Sequence, residues 1–352
     1  MAKLLAALSG GVDSSVAAAL AIEAGHEVTG VTLKQWEFDD EASRLSKGCC
    51  TLDAVEDARR ACSILGIPHY VFDFREVFER VVVDPWVDDY ARGVTPNPCV
   101  RCNELVRFGA MLDKADMLGF EGLVTGHYAR ADEGRLFRAR NAAKDQSYVL
   151  YALSRRALRS AYLPLGEFES KDAVRARARE LGLPNWDRED SLEVCFVGES
   201  RRPGDVVAER RPGSVRPGVI VNRDGQVVGE HGGLAYYTVG QRRGIGSSNE
   251  GRRYVTALLP ERNAVVVGPA ASASGLLASR ARFAGGSPPE DGAVFDAVVR
   301  YRGSPAAATF RGNDMGFQLA FDEPVRAVAP GQAVVLYDGD EVIGGGTIAQ
   351  AL

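Results

Sequence analysis

Two sets of residues have types and spacings that could do chemistry: a loop rich in glycine and serine near the start, and several cysteines farther along. The loop is Leu8–Ser15, LSGGVDSS, which follows the short apolar run Lys3–Ala7 and precedes an Ala/Leu-rich stretch. Gly10 and Gly11 have no Cβ, so the backbone can turn tightly there and come close to a ligand. The helix that follows offers unpaired N–H groups and a positive dipole end, which favour an anion such as phosphate.

Asp13 within this loop needs a positive partner beside phosphate, and the simplest one is Mg²⁺. No lysine follows the glycines, so the loop is not the GxxxxGK[ST] loop of common P-loop enzymes. The pattern SGGxDS resembles instead the pyrophosphate loop of ATP pyrophosphatases, which split ATP into AMP and pyrophosphate while they adenylate a substrate. The alternative is an ordinary strand–helix turn with two glycines, and the added serines and aspartate argue against it.

The cysteines differ in their surroundings. Cys99 and Cys102 lie in the proline-rich stretch GVTPNPCVRCN, which enters a helix whose dipole favours a thiolate. The CxxC spacing alone is compatible with a metal site, a redox pair or coincidence, and zinc would need Cys49 and Cys50 as further ligands. Cys195 lies in DSLEVCFV, and the residues around it fit a position in the core and a position in a loop over the active site equally well.

Composition indicates an ordinary globular protein. A chain of 352 residues is long for one core, so two or three domains are expected. No stretch of the sequence is typical of a signal peptide or long enough to span a bilayer, so we expect a cytoplasmic protein with no membrane partner. The six cysteines are then expected to be reduced thiols. The net charge is −5, yet ten arginines stand against five acidic residues between Ser200 and Val255. A solvated arginine-rich face and a nucleic-acid surface both fit this excess.

Up to about Gly198 the pattern alternates between strands and helices. The predicted strands are Leu4–Leu8, Glu27–Leu33, His69–Phe72 and Gly122–Thr125, and the predicted helices are Val16–Ala24, Leu52–Leu65, Val77–Tyr90 and Glu104–Leu118. Cys62 falls on the apolar face of the second helix and is interpreted as a buried small hydrophobe. This alternation predicts an α/β fold with a doubly wound, Rossmann-like parallel sheet, whose ligands bind at the carboxyl ends of the strands.

The second half reads as β-rich. Arg201–Gly218 is rich in arginine, proline and glycine and is interpreted as a linker or mobile loop. Hairpins are predicted around the turns Asp224-Gly225 and Asp338-Gly339. We therefore expect a catalytic domain over 1–199, a small β-rich domain over 200–275 and a β-barrel over 276–352.

Seven motifs in order resemble one family, the bacterial-type tRNA-specific 2-thiouridylases of the ATP pyrophosphatase superfamily. They are SGGVDSS at 9–15, TPNPCVRCN at 95–103, TGHYAR at 125–130, KDQSYVLY at 144–151, DSLEVCFVG at 190–198, YTVGQRRGIG at 237–246 and PGQAVVLYDGDEVIGGG at 330–346. The family thiolates the wobble uridine of certain tRNA anticodons, with ATP and Mg²⁺.

The resemblance also implies roles for individual residues. The implied ATP site comprises Leu8, Ser9, Gly10, Gly11, Val12, Asp13, Ser14, Ser15, Leu33 and Gly126. Cys102 is implied to be the nucleophile, and Cys195 to carry sulfur as a persulfide. The implied contacts with the target base are Asn97, Pro98 and Cys99. The implied tRNA contacts are His127, Lys144, Asp145, Gln146, Arg300, Tyr301 and Gln332.

The family mechanism implies adenylation of the uracil C2 oxygen, sulfur transfer from Cys195, and release of 2-thiouridine as a Cys102–Cys195 disulfide forms. The implied partners are the tRNA anticodon stem-loop and a sulfur donor protein, either a cysteine desulfurase or a relay carrier. Many members have aspartate at the position of Cys99, which leaves a second mechanism open: Cys99, Cys102 and Cys195 could hold a [4Fe–4S] cluster. Another ATP pyrophosphatase, such as an amidotransferase-type synthetase, and a tRNA-binding protein with an ATP switch are the rival functions.

Overall fold

The computed structural model describes residues 1–37, 52–184, 186–187, 194–198, 201–245 and 252–352. Its first half is built on a five-stranded parallel sheet in the order β3-β2-β1-β4-β7. These strands are β1 Lys3–Ala7, β2 Glu27–Lys34, β3 His69–Asp73, β4 Gly122–Val124 and β7 Ala161–Tyr162. The four predicted strands are confirmed, and the sheet is the predicted α/β type. Cys49 and Cys50, the proposed extra zinc ligands, lie outside the described residues.

Helices pack around this sheet. They are α1 Val12–Glu23, α2 Leu52–Leu65, α3 Arg75–Phe78, α4 Asp84–Ala91, α5 Pro98–Arg101, α6 Leu112–Met117, α7 Arg155–Arg159, α8 Lys171–Glu180 and α9 Pro203–Arg210. π-Helical stretches, Glu79–Val83 and Cys102–Met111, join α3 to α4 and α5 to α6. Such stretches are often found at functional sites. None of the described helices is long and apolar enough to cross a membrane.

Helix α1 begins earlier than predicted. The sequence suggested a start at Val16, whereas Gly11 is the N-cap and the helix starts at Val12. Because the first turn holds a carboxylate and two hydroxyls that also suit a loop, composition alone did not place this boundary. Asp13, Ser14 and Ser15 therefore lie in the first helical turn.

A four-stranded sheet in the order β10-β11-β8-β9 follows. Its strands are β8 Gly218–Val221, β9 Val227–His231, β10 Tyr254–Leu259 and β11 Ala264–Gly268. The hairpin predicted at Asp224-Gly225 is confirmed by the pairing of β8 with β9.

The prediction that Arg201–Gly218 is a linker or loop is wrong for its first part, which contains helix α9. Pro203 occupies its first turn, and the Asp205 carboxylate accepts a hydrogen bond from the Arg202 N–H at 2.8 Å. Val206 and Val207 are buried, so the helix is anchored to the rest of the protein rather than mobile.

The C-terminal unit is a closed six-stranded antiparallel barrel in the order β12-β15-β14-β13-β16-β17, with β17 returning to β12. Its strands are β12 Ser272–Phe283, β13 Val294–Val298, β14 Ala306–Asn313, β15 Gly316–Arg326, β16 Ala333–Asp338 and β17 Glu341–Ala351. The hairpin predicted at Asp338-Gly339 is confirmed. The expected domain boundary between residues 275 and 276 falls inside β12, a strand that belongs wholly to the barrel.

A hairpin from the first half extends the barrel sheet. Strands β5 Ala129–Asp132 and β6 Arg135–Arg138 pair with each other, and β6 meets β17 where Phe137 lies opposite Glu341. The Arg135 guanidinium donates two hydrogen bonds to the Glu341 carboxylate beside this junction. The sheet therefore runs continuously from the first half of the chain into the barrel.

Candidate functional site

The loop between β1 and α1 is held in shape by its own side chains. Gly10 has a φ of +74°, and a Cβ there would lie 2.4 Å from the Ala54 carbonyl oxygen. The Ser14 and Ser15 hydroxyls donate to the Gly11 carbonyl oxygen at 3.0 and 3.2 Å. The loop and the first turn of α1 are thus fixed before any ligand arrives, with the helix N-terminus at the carboxyl edge of the sheet.

The other residues predicted for the ATP site border this loop. Leu33 is buried near the end of β2, next to β1, and the Leu8 N–H donates to the Val31 carbonyl oxygen at 2.8 Å. Gly126 follows β4, and a Cβ on it would lie 2.7 Å from the Ser14 nitrogen. Residues from three strand ends therefore meet at one place, as expected for a ligand site in a parallel sheet.

Asp13 has a partner that the sequence did not reveal. The Lys171 ammonium lies 2.7 Å from its Oδ1 and 2.6 Å from its Oδ2, and the Tyr128 hydroxyl donates to Oδ1 at 2.7 Å. Lys171 opens helix α8, whose N-cap Ser170 accepts from the Ala173 N–H at 3.1 Å. Nothing in the local sequence links two residues 158 positions apart.

This ion pair offers a second source of positive charge beside Asp13, and the expectation of Mg²⁺ stays a prediction. Across the described part of the chain, no group of three or more His, Cys, Asp or Glu side chains is arranged to hold a metal ion. The hydroxyls and backbone of the loop nevertheless fit an anionic ligand such as the phosphates of ATP.

The loop that carries Cys99 and Cys102 is capped at its helix end. The Asn97 side chain accepts a hydrogen bond from the Cys99 N–H at 3.1 Å, and Pro98 occupies the first turn of α5. Cys99 is exposed, while Cys102 is half-buried at the point where the π-helical stretch begins. The Gln35 side-chain amide donates to the Cys102 sulfur at 3.4 Å.

The C-terminal barrel fixes the other end of this loop. The Gln332 side-chain amide donates to the Thr95 carbonyl oxygen at 2.8 Å, and the Thr95 N–H donates to the Pro330 carbonyl oxygen at 3.2 Å. Gly331 has a φ of +92°, and a Cβ there would come within 2.4 Å of the Val94 side chain. Gln332, implied to contact tRNA, is therefore also a support of the cysteine loop.

Cys195 is half-buried and lies beside a strongly anchored aromatic ring. Phe196 is 1% exposed, and its ring centroid lies 5.9 Å from Trp36, 5.8 Å from Phe78 and 4.9 Å from Trp86. Cys102 and Cys195 pack against the same hydrophobic core.

Burial raises the pKa of the Cys62 thiol to about 12, and the prediction that Cys62 is a buried core residue is confirmed.

His127 is buried rather than displayed. Its ring bonds the Thr125 hydroxyl at 2.8 Å and lies 3.4 Å from the Arg107 guanidinium. Burial, followed by the positive charge of Arg107, lowers the pKa of His127 to about 3, so the ring is neutral at physiological pH. A direct tRNA contact through this ring would require it to become more accessible than it is here.

The other residues implied to contact tRNA occupy different surroundings. Asp145 is turned inward, where its carboxylate accepts from the Ala139 N–H and the Ser147 hydroxyl, and the Gln146 side chain accepts from the Tyr128 N–H. Lys144 is half-buried. Arg300 and Tyr301 are exposed at the barrel. This set therefore combines structural and surface side chains.

Eight of the arginines between Ser200 and Val255 stand in adjacent pairs, and two of these pairs make ion pairs with acidic side chains of the protein itself. Arg201 pairs with Glu209 and Arg202 with Asp205, while Arg210 pairs with Glu79 and Arg211 with Asp88. Arg242 and Arg243 are exposed and have no ion pair with another described residue. The positive charge available to a partner is thus smaller than the sequence suggested.

Profiles of known families match three segments of the chain. They are described as a tRNA methyl transferase HUP domain at residues 2–199, a tRNA methyl transferase PRC-barrel domain at 205–269, and an aminomethyltransferase β-barrel domain at 273–348. A solved structure described as a 4-thiouridine synthetase–RNA complex with bound ATP is 17% identical, covers 60% of this chain and 51% of that chain, and has a TM-score of 0.35. A parallel sheet followed by two β-rich units agrees with the order of these three matches, and the first match places residues 2–199 in the HUP-domain class.

Curated relatives narrow the class to one enzyme family. The tRNA-specific 2-thiouridylase MnmA of Chloroflexus aurantiacus is 44% identical over 99% of both chains. Its counterpart in Thermobifida fusca is 46% identical over 99% of this chain and 96% of that one. The chain belongs to the tRNA-specific 2-thiouridylase MnmA family.

Proposed function

We propose that this chain thiolates the wobble uridine of tRNA at C2, using ATP. The uracil C2 oxygen attacks the α-phosphorus of ATP, and pyrophosphate leaves. The outer sulfur of a persulfide on Cys195 then attacks C2, and AMP departs with the C2 oxygen. Cys102, as a thiolate, attacks Cys195 Sγ, so that 2-thiouridine leaves with the bridging sulfur and a Cys102–Cys195 disulfide remains. A thiol reductant reopens the disulfide.

One observation supports this assignment most directly. The end of β2 lies next to both the proposed ATP site and the proposed nucleophile. Leu33 lies beside β1, the strand that leads into the loop Leu8–Ser15, and the Gln35 amide donates to the Cys102 sulfur. An activating nucleotide and a nucleophilic sulfur within one site are what the proposed reaction needs. Any Mg²⁺ that accompanies ATP would be held mainly by phosphate oxygens and water, since Asp13 is paired with Lys171.

The decisive experiment is mass spectrometry of nucleosides from tRNA incubated with the protein, ATP, Mg²⁺ and a persulfide source. We expect 2-thiouridine from the wild type, none from Cys102→Ala or Cys195→Ala, and wild-type amounts from the control Cys62→Ala. Formation of AMP and pyrophosphate that requires tRNA would exclude a binding protein with an ATP switch. Pyrophosphate release with no thiolated product under any sulfur source would favour another ATP pyrophosphatase.

A cysteine desulfurase or a relay carrier is the proposed sulfur donor. With persulfidated carrier protein as the only source of sulfur, we expect the sulfur to appear first on Cys195. Peptide mass spectrometry measures this directly, and persulfide confined to Cys102 would reverse the two roles.

The cluster mechanism makes a different prediction for Cys99. In the persulfide mechanism Cys99 only shapes the base pocket, so Cys99→Ser should lower thiolation without abolishing it. If the three cysteines hold a cluster, Cys99→Ser should lose iron and activity together. Iron, visible absorption and thiolation are measured on the same samples purified without oxygen, and a coloured wild type with an inactive, colourless variant would refute the persulfide mechanism.

A further inference from the structure

Gln35 is a buried polar side chain directed at the candidate nucleophile. It follows β2, is 2% exposed, and donates from its amide nitrogen to the Cys102 sulfur at 3.4 Å. A buried amide without partners costs free energy, so such groups are rarely placed in a core by chance. A thiol accepts hydrogen bonds weakly, whereas an ionised acceptor forms considerably stronger ones. The contact therefore favours the thiolate form of Cys102.

The next residue approaches the second cysteine segment. Trp36 packs against Phe196, the neighbour of Cys195, and the Arg210 guanidinium lies 4.9 Å from the Trp36 ring. The dipeptide Gln35-Trp36 thus contacts the Cys102 sulfur through Gln35 and the ring of Phe196, the neighbour of Cys195, through Trp36. A displacement of Gln35 would be resisted by this packing.

We propose that Gln35 is a positioning residue for Cys102: its amide N–H holds the sulfur in place and stabilises the thiolate that attacks the sulfur bridge. The effect on thiolation rests on the proposed function. The effect on the thiol itself does not, since its reactivity can be measured without tRNA or ATP. Alkylation of Cys102 therefore tests the role of Gln35, while thiolation of tRNA tests the proposed function, and either one can fail without the other.

The test compares Gln35→Met, which keeps the length of the side chain but has no donor, with Gln35→Glu, which places a carboxylate beside the sulfur. Iodoacetamide alkylation of Cys102 is followed by peptide mass spectrometry across pH, with exposed Cys99 in the same sample as an internal reference. We expect roughly ten- to a hundredfold slower alkylation near neutral pH in Gln35→Met, the range for one hydrogen bond to a charged group. A larger loss is expected in Gln35→Glu because like charges repel.

Thr32→Val is the matched control, since the buried Thr32 hydroxyl lies on β2, just before Gln35, and bonds the His69 ring at 2.9 Å instead. Alkylation of Cys102 should be unchanged in this variant. In thiolation assays Gln35→Met should lower kcat while leaving kcat/KM for tRNA and the first-turnover rate of pyrophosphate release unchanged.

A Gln35→Met protein whose Cys102 alkylation follows the wild-type pH profile would overturn the proposal. So would an equal slowing at Cys99 or in Thr32→Val, which would indicate a general disturbance of the fold. A slowed Cys102 in a protein whose wild type makes no 2-thiouridine would support the positioning role and refute the proposed function.

Discussion

Replacing Lys171 by methionine is expected to destabilise the first half of the chain. The side chains of Lys171 and Asp13 are 9% and 27% exposed, and both carboxylate oxygens lie within 2.7 Å of the ammonium. Removal of one partner of a buried ion pair costs about 3–5 kcal/mol, because the remaining charge is left desolvated. Asp13 keeps the hydrogen bond from Tyr128 and some contact with solvent, so the cost is expected near the lower end, about 3 kcal/mol.

Urea unfolding followed by tryptophan fluorescence is the appropriate assay. The three tryptophans are Trp36, Trp86 and Trp186, all within residues 2–199, so the signal reports the unit that contains the ion pair. The double variant Lys171→Met/Asp13→Asn leaves no unpaired charge and should unfold at a higher urea concentration than Lys171→Met alone.

The matched control is Arg156→Met, which removes an exposed cation that pairs with Asp113 and Asp116. Because exposed pairs contribute little, this variant should unfold at nearly the wild-type urea concentration. Lys171→Met should also slow pyrophosphate release while tRNA affinity is retained, since Asp13 lies in the phosphate loop. A Lys171→Met midpoint equal to that of the wild type would refute the reasoning, and so would a double variant less stable than the single one.

Two further predictions concern the RNA surface and the phosphate loop. Arg242→Ala/Arg243→Ala should flatten the slope of log tRNA affinity against log salt by about one to two, because a complex with fewer phosphate contacts releases fewer counterions. Arg210→Ala/Arg211→Ala should lower stability and leave this slope unchanged. Filter binding at several salt concentrations measures the slopes, and the opposite pattern would contradict the prediction. Gly126→Ala should strongly reduce tRNA-dependent pyrophosphate release, because its Cβ would come within 2.7 Å of the first turn of α1. A wild-type rate would contradict this prediction and show that the first turn of α1 moves to make room for the methyl group.

Local patterns in the sequence predicted much of the fold. Strands β1, β2 and β4 are recognisable because they are largely buried apolar runs, and two Asp-Gly turns identify their hairpins. Helix α9 was missed because arginine, proline and glycine obscured a capped first turn and two buried valines. The pairing of β6 with β17 was missed because it joins segments about 200 residues apart, which no local pattern encodes.

The candidate site shows the same division between local and distant information. The glycine-rich loop Leu8–Ser15 and the CxxC segment are continuous in sequence, so a phosphate site and reactive thiols could be predicted from residue types alone. Lys171 and Gln35 are recognisable only once the chain is folded, because each is defined by a partner far away in sequence.

The barrel has a structural part in the site that its sequence did not suggest. The turn at 330–332 hydrogen-bonds Thr95, at the entrance to the cysteine loop, and Gly331 allows the two backbones to touch. Asn97 caps the helix at the other end of the same short loop. Because the loop is fixed from both sides, a shift of the barrel relative to the parallel sheet would move Cys99 and Cys102. The unit proposed to contact tRNA is therefore mechanically connected to the residue proposed to release the thiolated base.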